Sequence, residues 1–220
     1  MNVAADERNV WVAWVLAGGV AGLLALAVAA ETPPFLVGVL PSGDEQNTSG
    51  WTVGWAILLA GALAGATFGA VQRLVLRRVL PHLNGWVWVS TAGFGTAFAA
   101  VWALGGGRHG AVAHHALPHA VDLAGPLGGA IIGAALGASQ WLILRRHLRH
   151  AGWWVPFNGV GFVAGWLVAA ATPVDGVPAH FVGGGTAGLV LAAITGTALV
   201  WLLAGPKAAT QRRRGGGGQG

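Results

Sequence analysis

Six stretches without a single charged residue constrain this chain more than any other feature: Val10–Ala30, Trp51–Gln72, Trp86–Leu104, Leu123–Leu144, Trp153–Ala171 and Phe181–Leu203. Crossing the hydrocarbon core of a bilayer takes about 20 apolar residues in helical form. Within hydrocarbon only a helix or a closed barrel satisfies every backbone N–H and C=O. Runs of this length predict helices, so the expected fold is an all-α integral membrane protein with six transmembrane helices. Breakers separate the runs: Thr32-Pro33-Pro34, Pro41-Ser42-Gly43, Pro81-His82-Leu83-Asn84, Gly105-Gly106-Gly107 and Thr172-Pro173. Composition agrees, with 9% charged residues and a mean hydropathy of +0.64, against roughly 25% charged residues in soluble domains. The small-x-small triplet Ala27-Val28-Ala29 has the form of a signal-peptidase site. The long apolar run and the non-basic leader Asp6-Glu7-Arg8 favour a retained first helix.

Orientation follows from the basic residues. Of the 12 Lys and Arg residues, all but Arg108 fall in segments that share a side with the two termini. Glu31, Asp44, Glu45, Asp122 and Asp175 lie on the opposite side. By the positive-inside bias the termini are cytoplasmic. The net charge of +5 then reads as a topology device and an attraction for anionic lipid headgroups, and no nucleic-acid partner is expected.

An internal repeat organises the six runs. The second reads Gly61-x3-Gly65-x3-Gly69, then Gln72, Leu74, Leu76 and Arg77-Arg78; the fourth reads Gly129-x3-Gly133-x3-Gly137, then Gln140, Leu142, Leu144 and Arg145-Arg146. The sixth follows as Gly184-x3-Gly188-x3-Ala192 with Thr195 at the Gln position and no arginine pair. The odd-numbered runs share Trp14-Val15-x3-Gly19, Trp88-Val89-x3-Gly93 and Trp154-Val155-x3-Gly159. The expected architecture is therefore three tandem helical hairpins, over residues 10–78, 86–146 and 153–204. Each unit has an even number of spans, so the copies share one orientation and relate by a pseudo-threefold axis along the membrane normal. Residues 1–204 form one transmembrane domain, and 205–220 read as a disordered, basic, Gly-rich cytoplasmic tail.

Four groups of residues are candidates for function. The glycines at positions 61, 65, 69, 129, 133, 137, 184 and 188 put small residues on one helix face, which lets backbones approach closely; a flat pigment or lipid against that face is the functional alternative. Gln72, Gln140 and Thr195 occupy one repeat position and need partners, since an unbonded amide in hydrocarbon is costly. They are interhelical hydrogen-bonding groups or a polar ring lining a constriction or ligand site. Arg77, Arg78, Arg145 and Arg146, at helix C-termini, complement the helix dipole and snorkel. With Trp88 and Trp154 at the same level they form a candidate headgroup-binding zone. His115 and His119, in a loop with His109, His114 and Asp122, are weak candidates for zinc or copper. Pro118 interrupts them, no HExxH-type motif is present, and a solvated polar loop is the favoured reading over a metal or pH-sensing site.

The absences exclude other classes. No Asp, Glu, Lys or His falls in the centre of a run, where proton pumps, voltage sensors and intramembrane metalloproteases need one. With no cysteine there is no disulfide, thiolate metal site or cysteine nucleophile, and no phosphate loop or dinucleotide motif names a cofactor. An enzyme is not expected.

The segment Gly137-Ala138-Ser139-Gln140-Trp141-Leu142-Ile143-Leu144-Arg145-Arg146, followed by Ala151-Gly152-Trp153-Trp154-Val155, resembles a pattern in uncharacterised bacterial multi-pass membrane proteins. The ending Ala193-Ile194-Thr195-Gly196-Thr197-Ala198-Leu199-Val200-Trp201-Leu202-Leu203 is similar to their last helix. The resemblance implies a fold and a bacterial inner-membrane location, and carries no site residues with it. Two functions remain: a structural or accessory protein that packs with partner subunits, further copies of itself, lipids or pigments, or a small channel or facilitator for an uncharged solute or ion.

Overall fold

Small residues dominate the helix faces that meet, and that determines how close the helices come. The computed structural model describes residues 3–39, 50–80, 82–101, 103–104, 124–172 and 177–215. These described residues form six α-helices: α1 (Val3–Val39), α2 (Gly50–Val79), α3 (Trp86–Val101), α4 (Ala124–Leu144), α5 (Trp154–Ala170) and α6 (Val177–Gly215), with a 3₁₀ turn at Ala151–Trp153 ahead of α5. No strand occurs among the described residues. Five helices, all but α3, are long and apolar enough to cross a membrane. α3 has 16 residues, about 24 Å at 1.5 Å per residue.

Each helix packs against its neighbours along the chain, and α6 packs against α1, so the six close into a ring. The closest backbone approaches come from the glycine-rich faces. A Cβ at Gly65 would lie 2.5 Å from the Ser90 carbonyl oxygen, and one at Gly133 would lie 2.5 Å from that of Asn158. At Gly188 it would collide with the carbonyl oxygen of Gly18. Gly61 and Gly69 also face α3, Gly129 and Gly137 face α5, and Gly184 meets Gly22 of α1. In lipid there is no hydrophobic drive between helices, so such dispersion contacts carry the association.

The hairpins read from the sequence pair α1 with α2, α3 with α4 and α5 with α6, and the two helices of each pair are in contact. The glycine faces of α2, α4 and α6 turn to the other neighbour of each, α3, α5 and α1. Sequence repetition gives the order of like helices but not the neighbour toward which a small-residue face points.

Helix limits differ as well. α1 runs through Thr32-Pro33-Pro34, which the sequence reads as a break. A proline costs a helix its own N–H bond and usually kinks or ends it, yet the helix continues through both prolines to Val39. α6 continues past Gly205-Pro206 to Gly215, where 205–220 reads as a disordered tail. Lys207 to Arg214 is rich in Ala, Gln and Arg, all strong helix formers. α3 is α-helical to Val101, and Ala103 and Leu104 are π-helical. Between α2 and α3 the chain turns through Gly85, whose φ of 85° is left-handed and suits a residue without Cβ; its carbonyl accepts from Val89 N–H at 3.0 Å.

Candidate functional site

The buried core divides into two levels with different chemistry. The first is an indole and amide cluster. Trp14, Trp86 and Trp154 are all fully buried. The Trp154 ring stands edge-on to Trp14 at 5.8 Å and to Trp86 at 6.4 Å, within the range favoured for aromatic pairs. Leu76, Leu144 and Leu199, one turn beyond Gln72, Gln140 and Thr195, fill the space beside them with no exposure.

Polar side chains sit on that hydrocarbon layer. Gln140 donates from Nε2 to Gln72 Oε1 and to Ser90 Oγ, both at 3.0 Å. Its Oε1 accepts the Trp154 indole N–H at 2.8 Å. The Ser90 hydroxyl donates onward to the Trp86 carbonyl at 2.9 Å. Thr195 stands apart from the two amides: it accepts the Trp14 indole N–H at 3.0 Å and donates to the Leu191 carbonyl at 2.9 Å. Gln72 and Gln140 are thus brought together, and Thr195 serves the neighbouring indole instead of completing their ring. Asn158 donates to the Trp154 carbonyl at 2.8 Å. Two buried atoms have no partner among the described residues, Trp86 Nε1 and Asn158 Oδ1.

The register of α3 explains what the sequence reading missed. Trp86, not Trp88, matches Trp14 and Trp154. Trp88 is 77% exposed on the outer surface, while Trp86 is buried. Both Trp86-Val87 and Trp88-Val89 satisfy the Trp-Val pattern, and alignment on Gly93 selects the wrong one. The usable signal is the residue four places on: Gly18, Ser90 and Asn158 are the residues that the glycines of α6, α2 and α4 approach. Trp154 is also corrected as a headgroup candidate, because at 0% exposure it has no access to the membrane surface.

The basic end keeps its other candidates accessible. Arg77, Arg78, Arg145 and Arg146 are exposed. Arg145, just past the end of α4, lies over the Trp141 ring at 5.1 Å, a cation–π contact with a tryptophan one turn back rather than one opening the next helix. Arg73 and Arg77 line a cleft together with the apolar side chains of Leu74, Leu83 and Val87. Among the described residues no group of His, Asp and Glu could hold a metal ion; His115 and His119 lie outside them.

The second level is hollow. An apolar cavity of about 360 Å³ opens among the helices on the far side of the amides from the arginines. Its inner end is formed by Phe68, Phe94, Phe162, Ile132 and Leu191, and its outer end by residues near the ends of α3 to α6, among them Val101, Gly125 and Ala169. Leu136, one turn from Ile132, is fully buried beneath it.

Comparison of the chain with protein-family models, with curated proteins and with solved structures returns no match.

Proposed function

We propose that this chain is a non-conducting, structural or accessory membrane protein of six spans, with cytoplasmic termini, in a bacterial inner membrane. In this reading α3 spans with the other five, and three repeats surround a pseudo-threefold axis. The repeat unit that packs is a glycine-faced helix with the Trp helix after it, and α6 finds its partner in α1. Anionic headgroups meet the arginine end, and partner subunits or further copies meet the outer faces.

The observation that carries the reading is the state of the polar level. Gln72 and Gln140 are 3% and 0% exposed, and they bond to each other beside three packed indoles. A conducting constriction needs polar groups turned toward a path that water can enter. Here the Gln140 carbonyl and amide are both committed to protein partners.

Reconstituted vesicles test it. Ion and small-solute flux should equal that of protein-free vesicles, for the parent and for Gln72→Leu with Gln140→Leu. The double variant strands the Trp154 indole N–H without its acceptor, so stability should fall by about 1–3 kcal/mol. Flux through the parent that the double variant abolishes, with its fold intact by thermal melt, would establish the channel instead.

A further inference from the structure

The cavity beyond the amides has a lining that selects its occupant. Water held inside a protein needs two to four polar partners, and among the described residues the only polar side-chain group in this lining is the Trp166 indole. Ions and sugars are excluded for the same reason. The volume, about 360 Å³, falls within the range of small-molecule sites. An unfilled space of that size would forfeit the dispersion contacts of its walls. The walls are phenylalanine faces and bare glycine backbone: the Phe94 and Phe162 rings lie 5.6 Å apart, and Gly129 and Gly188 contribute main chain with no side chain above it. Trp166 lies against Gly125 at the outer end.

We infer that this cavity takes one hydrocarbon chain of a membrane lipid, inserted tail first, with the polar end of the lipid outside beside Trp166. The chain reaches as far as Phe68, Ile132 and Leu191 and stops there, because the Leu136 level and the tryptophans below it are solid. Phospholipid acyl chains and isoprenoid chains share the required chemistry. The inference relies on the membrane assignment of the previous section but not on the absence of conduction, and labelling and flux are separate readouts.

The test is photolabelling of the full-length protein in vesicles. One arm uses phosphatidylglycerol with a diazirine near the end of an acyl chain, and the other a prenyl phosphate carrying the same group. Adducts on Phe94, Ile132 or Phe162 are expected in at least one arm, and the arm that labels identifies the chain type. Ile132→Trp, which fills the cavity, should cut those adducts about tenfold, while Leu127→Trp, on the exposed face of the same helix, should leave them unchanged. Gly183→Phe provides a second filler from α6, where among the described residues a Cβ meets only Ala169, at 3.7 Å. Adducts confined to outward residues such as Leu63 and Leu127 in the parent would overturn the inference whatever the variants do. Cavity adducts insensitive to both fillers would overturn it as well.

Discussion

At one end of the core three tryptophans, two glutamines and three leucines leave no room for anything else; at the other, glycines and phenylalanines surround a space. Both levels are built on the same helices, a turn or two apart. On α4 the two levels differ in what stands opposite the glycine, whereas Gly22 and Gly188 of the cavity lining meet backbone as tightly as Gly133 does. Gly133 faces the Asn158 backbone so closely that a Cβ would lie 2.5 Å from its carbonyl oxygen. At Gly129, one turn earlier, the nearest atom would be the Phe162 carbonyl oxygen at 3.4 Å. The same spacing in sequence closes the bundle in one place and relaxes it in the next. Small residues permit close approach, and the bulk around them decides whether the approach is used.

The largest effect expected from this comparison is at the tight glycines. Gly65→Leu and Gly133→Leu place a branched side chain against backbone that cannot move aside, and assembly should be lost. Gly129→Ala should stay within about 1 kcal/mol of the parent in a thermal melt, since a 3.4 Å contact is ordinary and alanine favours the helix. Equal losses at Gly133→Ala and Gly129→Ala would break the distinction between the levels.

A smaller effect separates the indoles. Trp154→Phe leaves Gln140 Oε1 buried without its donor, a loss of about 1–3 kcal/mol. Trp86→Phe removes an N–H that has no partner among the described residues, so it should cost less than Trp154→Phe in the same melt. The reverse order would mean that Trp86 carries a hydrogen bond of greater weight than the Gln140 contact.

The smallest effect concerns Asn158, whose Oδ1 is the other unpartnered atom. Asn158→Ser gives it the side chain of its counterpart Ser90 and keeps a donor for the Trp154 carbonyl. The midpoint should shift by no more than about 1 kcal/mol in either direction. A larger loss would show that the amide oxygen is in use.

Much of the fold was legible in the sequence, because the apolar runs and the glycine spacing are local patterns. The helical ranges of α2, α4 and α5 follow from them directly, and the shared repeat position marks Gln72 and Gln140 as equivalent. Neighbour choice was not legible: the face Gly65 presents to Ser90 looks the same in sequence whichever helix covers it. Trp86 and Trp88 both fit the local Trp-Val motif, and it is burial and the residue four places on that tell them apart. Thr195 lacks the reach of glutamine, and its shorter side chain meets Trp14 where Gln140 meets Gln72. The cavity was invisible for a related reason: it is made by what is missing among six segments distant in sequence.

One pair of variants on α4 tests most directly whether the core is solid at one level and hollow at the next. Leu136→Phe and Ile132→Phe make similar enlargements one helical turn apart, the first in the closed layer and the second in the cavity lining. Thermal melts of the two in one detergent should show Leu136→Phe destabilised by about 1–3 kcal/mol from overpacking, and Ile132→Phe at or above the parent. Equal destabilisation of both would contradict the hollow level, and tolerance of both would contradict the solid one.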